Sequence, residues 1–342
     1  MLMEITDTQT NSTNVHIFNK AKRPKPSIVF DTYWKFAGER QAIFFSRLEQ
    51  QIPPWTRDPI LQLFKFTNAY RASDRVSQYL IKEVIYKGDQ SHDEIFFRIL
   101  LFKLFNKIET WSAFEKKLGE ITWRSFDFNQ YCEILEGIKK TGNSIYSGAY
   151  IMASGRSAYG YASKHKNHLK LLENMLRDNL PARIRELRSM GELYNVLRNY
   201  PTIGSFLGYQ FSIDLNYSNL VDFSEMEFVK AGPGAKDGIR KCFSDIGDYT
   251  EEDIIKMMAD IQQKEFSRLE INFKDLWGRP LQLIDCQNLF CEVDKYSRVA
   301  HPSISGVSDR KRIKQKFMPT SLKPLSYFYP PKWKINIKHN TE

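Results

Sequence analysis

Asn199-Tyr200-Pro201-Thr202-Ile203-Gly204-Ser205-Phe206-Leu207-Gly208-Tyr209, running on to Asp222-Phe223-Ser224-Glu225-Met226-Glu227, is the stretch whose reading decides the fold. A helix over Glu192–Arg198 stops at Tyr200-Pro201, because proline has no amide donor and biases its predecessor away from helical dihedrals. Gly204 is expected to permit a sharp re-entry, and Ser205–Leu215 resumes a helix carrying Phe206, Leu207, Phe211 and Leu215. The first amides of that second helix lack intrahelical partners, so with the helix dipole they can receive a phosphate without reading base sequence.

Helix, hairpin, helix and following acids together resemble the core of helix-hairpin-helix DNA glycosylases, here spanning 191–215. In that superfamily the hairpin reads Leu-Pro-Gly-hydrophobic-Gly, with a catalytic aspartate some twenty residues on. This chain has Thr202 at the first glycine, and Asp222 follows Gly204 by eighteen residues. Asp222 is therefore the first choice for the carboxylate that stabilises positive charge on the deoxyribose, with Glu225 and Glu227 as alternatives. All three acids are equally compatible with a solvated loop. The Schiff-base lysine of strand-cleaving members falls on Phe206, so the resemblance implies a monofunctional enzyme that leaves an abasic site.

Charge is consistent with a nucleic-acid partner: 50 Lys and Arg against 40 Asp and Glu leave a formal net charge of +10. Lys20, Lys22, Arg23 and Lys25 lie in a proline-punctuated N-terminal arm, and Arg310, Lys311, Arg312, Lys314 and Lys316 follow a Pro/Ser/Gly-rich loop at 302–308. Thr202, Gly204, Ser205, Gly234, Lys236, Arg310, Lys311 and Arg312 are the candidate DNA contacts. A solvated basic surface is the competing account. No run reaches the roughly twenty apolar residues of a membrane span, and no secretion signal is evident, so a cytoplasmic monomer without membrane contact is expected. The four cysteines and six histidines have no metal-like spacing, and neither metal nor cofactor is expected.

The chain reads as all-α: an arm at 1–28, a compact bilobal helical domain at 29–300 and a basic extension at 301–342. A long helix is expected over Asp58–Ile85, with amphipathic helices at His92–Lys107, Phe128–Lys139, Asn167–Leu176, Ala235–Phe243, Glu251–Arg268 and Leu281–Val299. Extended structure is suggested only for Ile145–Ala153 and the C-terminal tail. On a continuous helix, Asn68, Arg71, Asp74, Arg75 and Gln78 would share a face and could read a pyrimidine edge or tie the helix to its neighbours.

Three further stretches carry a second resemblance: Phe36-Ala37-Gly38-Glu39-Arg40-Gln41, Pro53-Pro54-Trp55-Thr56-Arg57-Asp58-Pro59, and Phe66-Thr67-Asn68-Ala69-Tyr70-Arg71-Ala72-Ser73-Asp74-Arg75. With Ser147–Ile151, Gly232-Pro233-Gly234-Ala235 and Cys291-Glu292-Val293-Asp294-Lys295-Tyr296, they resemble the helical domain associated with 5-hydroxymethyluracil DNA kinases and with alpha-glutamyl/putrescinyl-thymine pyrophosphorylases. This implies action on double-stranded DNA carrying modified pyrimidines, with Glu292, Asp294 and Tyr296 joining the 68–78 group as substrate contacts. Gly-Pro-Gly before the helix at 235 offers a second phosphate-binding helix start, reinforced by Lys236, or a simple turn. Trp34, Trp55 or Tyr150 could stack on an extruded base.

No Gly-x-x-x-x-Gly-Lys-Ser/Thr loop occurs, which disfavours P-loop kinase chemistry in this polypeptide. The expected function is excision of a bulky 5-modified pyrimidine, which the resemblance associates with antiphage defence. A transferase or pyrophosphorylase acting on an activated 5-hydroxymethylpyrimidine in DNA, or a non-catalytic modified-DNA recognition module, are the alternatives.

Overall fold

The computed structural model describes residues 20–148, 153–154, 158–318 and 326–335. Tyr150 lies outside them. Thirteen α-helices are present among the described residues. The first seven are α1 (Ile28–Leu48), α2 (Pro59–Leu63), α3 (Arg75–Tyr79), α4 (His92–Phe105), α5 (Ile108–Leu118), α6 (Phe128–Lys140) and α7 (Lys164–Arg177). They are followed by α8 (Leu180–Arg185), α9 (Met190–Arg198), α10 (Ser205–Asn216), α11 (Pro233–Cys242), α12 (Glu251–Arg268) and α13 (Leu283–Ala300). The only sheet among the described residues pairs β1 (Lys25–Pro26) antiparallel with β2 (Phe243–Asp245), Lys25 opposite Asp245 and Pro26 opposite Phe243. The chain is thus mostly helical, as read from sequence.

Helix boundaries follow local chemistry. Ser27 caps α1 by accepting from Val29 N. Thr250 and Asp253 form a reciprocal capping box that starts α12 where the sequence places it, and Gln282 with Asp285 does the same for α13. A contiguous cluster of buried apolar side chains runs from Val29 on α1 to Tyr329 near the C-terminus. Its tightest approach joins α11 to α13. A Cβ built on Gly238 would lie 2.0 Å from the backbone oxygen of Phe290, so only glycine admits this contact.

Two expectations are corrected. The helix over 58–85 is broken: α2 ends at Leu63, Phe64 turns extended, and Leu63–Lys65 pair instead with Gln315–Phe317 through Lys65 N to Gln315 O (3.0 Å) and Phe317 N to Leu63 O (2.9 Å). A 3₁₀ turn at Arg71–Ser73, α3 and a π-helical turn at Leu80–Ile85 follow, so Asn68, Arg71, Asp74, Arg75 and Gln78 do not share one helical face. In the 199–204 hairpin the left-handed residue is Thr202 (φ 68°), at the position where glycosylase hairpins carry their first glycine. Gly204 is extended (φ −77°, ψ 179°) with open space where a Cβ would sit, so it is an N-cap rather than a conformational necessity. The basic arm is pinned from Lys20 onward: Lys20 pairs with Asp253 at 2.5 Å and Lys22 with Asp245 at 2.8 Å.

Gly238→Ala is expected to lower stability by about 3 kcal/mol or more, because the obstacle is backbone and cannot swing aside. Gly137→Ala, mid-helix on α6 with nothing within 4 Å of the new Cβ, should instead raise it by about 0.5–1 kcal/mol. Paired thermal or urea unfolding curves would check both.

Candidate functional site

The broken segment 64–79 creates the site by wedging a polar loop between α1, α10 and α13. On one side Arg40, buried on α1, donates to Thr67 O (2.9 Å), Phe66 O (3.4 Å) and Asn68 Oδ1 (3.3 Å). Asn68 in turn gives its backbone amide to Asp74 Oδ1 (2.8 Å) and its side-chain amide to Ser73 O (2.7 Å). Glu292 on α13 accepts from Thr67 N at 2.9 Å and pairs with Lys295 at 2.8 Å, while Lys295 lies 4.6 Å from the Phe66 ring centre. Asn68, Asp74 and Glu292 therefore meet, although they are neither on one helix nor close in sequence. Burial pushes the Asp74 carboxyl up to about 7 and the charge of Glu292 adds to the rise, against the Asn68 amide and the guanidinium groups of Arg40 and Arg71.

On the other side Arg71 enters a buried network. Its guanidinium pairs with Asp214 at 2.8 Å and donates to Gln210 Oε1 (3.2 Å) and Tyr217 Oη (3.1 Å), and its backbone amide donates to Asp285 Oδ1 (2.8 Å). Lys103 on α4 stands 3.2 Å from the second oxygen of Asp214, and burial lowers its amine to about 8. Burial raises Asp285 to about 7, with the amides of Gln282 and Arg71 opposing and the charge of Glu225 adding. Two carboxyls that titrate near neutrality thus flank the Arg71 turn, a concentration of perturbed groups of the kind found where chemistry is done.

The acids after α10 occupy unlike surroundings. Glu225 is buried and paired with Arg279 at 2.8 Å, and the Trp333 ring lies 3.8 Å from that guanidinium. Asp222 has an 82% exposed side chain and stands 3.4 Å from Lys332. Glu227 is exposed. Lys332 and Trp333 belong to a C-terminal strap, 326–335, that closes this side of the molecule. Lys332 donates to Ser218 O (3.0 Å) and Val221 O (2.7 Å), Tyr329 Oη and Ser73 Oγ are 2.8 Å apart, and Phe328 N donates to Gln78 Oε1 (2.7 Å).

Other expected contacts have structural partners. Asp294 pairs with Lys241 (2.9 Å) and Arg298 (2.5 Å) and also approaches Arg310, whose guanidinium is bound to Asp237. Tyr296 donates to Asp58 Oδ2 at 2.6 Å. Gly234 packs on Cys291, a built Cβ lying 3.1 Å from its Sγ. Lys236, Arg75, Lys311 and Arg312 are exposed, as are Gly204 and Ser205, whose hydroxyl accepts from Tyr194 Oη at 2.9 Å; Thr202 is half-buried. Trp34 is core, and Trp55 is held by Gln51 O at 2.7 Å.

Sequence reading missed Arg40 as a participant, and Lys103, Gln210, Asp214, Tyr217, Arg279 and Asp285 altogether. A signal existed for some of them. Lys103 interrupts the apolar run Ile99-Leu100-Leu101-Phe102, and Gln210 and Asp214 on α10, with Tyr217 at its C-cap, recur at helical spacing. Among the described residues no helix is long and apolar enough to cross a membrane, and no cluster of three or more His, Cys, Asp or Glu could hold a metal.

Asp214→Asn is expected to cost about 3–5 kcal/mol in a denaturant titration, since it leaves Arg71 and Lys103 buried against a neutral amide. For Asp74, a raised carboxyl favours the protonated folded state. Its contribution is full below about pH 4 and is lost as pH rises through about 7. Asp74→Asn should therefore gain thermal stability relative to the parent between pH 5 and pH 8, a trend that a constant offset in Tm would contradict.

The sequence profile of the family described as 5-hmdU DNA kinase, helical domain, matches residues 27–306. A curated relative named 5-hmdU DNA kinase, from Bacillus phage SP10, is 27% identical over 289 residues, covering 78% of this chain and 45% of that protein. The chain thus spans less than half the length of the relative it matches. No solved structure matches it. With four-fifths of its length matched, a region that includes the Arg40–Asn68–Asp74–Glu292 cluster, the chain belongs to the 5-hmdU DNA kinase helical-domain family.

Proposed function

We propose that this chain recognises 5-hydroxymethylpyrimidines in DNA, 5-hydroxymethyldeoxyuridine first among them, and serves DNA hypermodification by chemistry at the 5-substituent with the glycosidic bond left intact. The observation that carries the reading is the cluster itself: segments of the family-matched region that are distant in sequence bring Asn68, Asp74 and Glu292, all half-buried, around the Arg40 guanidinium. A hydroxymethyl group both donates and accepts a hydrogen bond. A carboxyl that titrates near 7 matches it at physiological pH, able to take the hydroxyl proton when ionised. The amide of Asn68 supplies donor and acceptor for a pyrimidine edge, and the base reaches such a cluster only by extrusion from the duplex.

Excision is the second reading, favoured by the hairpin at Thr202 and the acids that follow α10. Against it, Glu225 is neutralised by Arg279 beneath the Trp333 ring, and Asp222 stands in solvent, where a carboxylate stabilises a developing sugar cation poorly. The relative's name speaks of a kinase acting on 5-hmdU DNA, which agrees with chemistry at the 5-substituent.

Oligonucleotides carrying thymine, 5-hydroxymethyluracil, 5-hydroxymethylcytosine or its glucosylated form decide between the readings, with binding followed by anisotropy and products by alkali treatment and nucleoside mass spectrometry. The expected result is about tenfold tighter binding of 5-hydroxymethyluracil DNA than of thymine DNA, lost in Asp74→Asn, and no alkali-labile sites. Equal affinity for all four would sink the recognition reading. Abasic sites that vanish in Glu225→Gln or Asp222→Asn would establish excision.

A further inference from the structure

Away from these networks, the end of α6, the turn at 141–146 and the start of α7 form an open pocket of about 340 Å³. Lys139, Lys164 and His165 line it, together with residues 142–146 of the turn. Its electrostatics are one-sided. No Asp or Glu lines it, and Glu136, which stands 3.6 Å from His165 Nε2, is paired with Lys166 at 2.9 Å. Lys164 is not a waving surface lysine: its ammonium sits 4.7 Å from the Tyr146 ring centre, and Tyr146 is fixed in turn by a 3.1 Å contact from its hydroxyl to His168 Nδ1.

Two further observations converge on the same place. The pocket lies at the N-terminus of the 14-residue α7, whose N-cap Ser163 makes no side-chain capping bond, so the first amides of the helix are not capped by a side chain. His165, in that first turn, is 2% exposed, and its Nε2 has no partner within hydrogen-bond distance, standing 3.6 Å from Glu136 Oε1, a long contact. A buried ring nitrogen without a partner is costly unless something fills the place beside it.

We propose that this pocket is a phosphate-binding subsite, with Lys139 and Lys164 supplying charge, His165 Nε2 donating a hydrogen bond and the α7 amides completing the cradle. The ligand is a phosphate oxyanion, either a phosphodiester of DNA or free phosphate or pyrophosphate. The subsite stands apart from the base-reading cluster and does not depend on that reading, so unmodified DNA suffices to test it.

The test uses the full chain with Lys139→Gln/Lys164→Gln, with His165→Asn, and with Lys116→Gln/Lys117→Gln as a control that removes equal charge from exposed positions on α5. Anisotropy of a labelled thymine oligonucleotide is measured from 50 to 300 mM salt, and thermal shift is measured with sodium pyrophosphate. If the phosphodiester is the ligand, the Lys139/Lys164 variant loses about tenfold in affinity at low salt and its log–log salt slope falls by about 2, while the control keeps its slope. If free phosphate is the ligand, DNA binding is unchanged, but the pyrophosphate-induced shift of the parent is absent from the Lys139/Lys164 and His165 variants. Parent-like salt slope together with a parent-like pyrophosphate shift would overturn the proposal.

Discussion

The structure hangs on one buried charge arrangement: Asp214, inaccessible on α10, held between the Arg71 guanidinium and the Lys103 ammonium. Three charges removed from water are tolerable only when they compensate one another, and these come from α10, the 3₁₀ turn after the polar loop, and α4. Those three elements are therefore locked in mutual position by a geometric requirement that apolar packing alone does not impose. The backbone amide of Arg71 extends the lock to Asp285 and α13. The Asn68–Asp74 cluster sits on the same short loop, so its geometry is inherited from the charge arrangement behind it.

This explains why helices were legible in the sequence and the site only in part. Helix starts depend on side chains within three residues, and the Thr250–Asp253 box could be read directly at 250–253. The fate of 64–70 could not be read in this way. Its residues carry a helical pattern, but Leu63–Lys65 find backbone partners some 250 residues away at Gln315–Phe317, and long-range pairing overrides local propensity. Asn68, Asp74 and Glu292 were singled out by motif resemblance, and the structure brings them together, although the helix expected to carry Asn68 and Asp74 is broken. Gly204 failed for a different reason: the left-handed conformation in the hairpin sits at Thr202, two residues earlier, and a threonine there gives no compositional signal.

The acids after α10 show how little spacing says about environment. Asp222 and Glu225 are three residues apart, yet one is in solvent and the other is buried under an arginine and an indole. Asp74 and Asp285 come from unrelated parts of the chain but reach the same protonation range, because burial acts on both and a neighbouring glutamate reinforces it each time. What these carboxyls can do is set by the dielectric around them, and that is assembled only by the tertiary fold.

The strap at 326–335 lies beyond the family-matched segment, which ends at 306. Yet it meets the two backbone carbonyls at Ser218 and Val221, closes a contact with Ser73 and lays an indole over Arg279. The contacts that close this face thus reach past the family-matched segment. A relative that keeps the shared segment and lacks this strap must cover the same carbonyls and guanidinium with something else, a different tail, an adjoining domain or solvent. What seals this face here is therefore supplied by the tail to side chains of the matched segment.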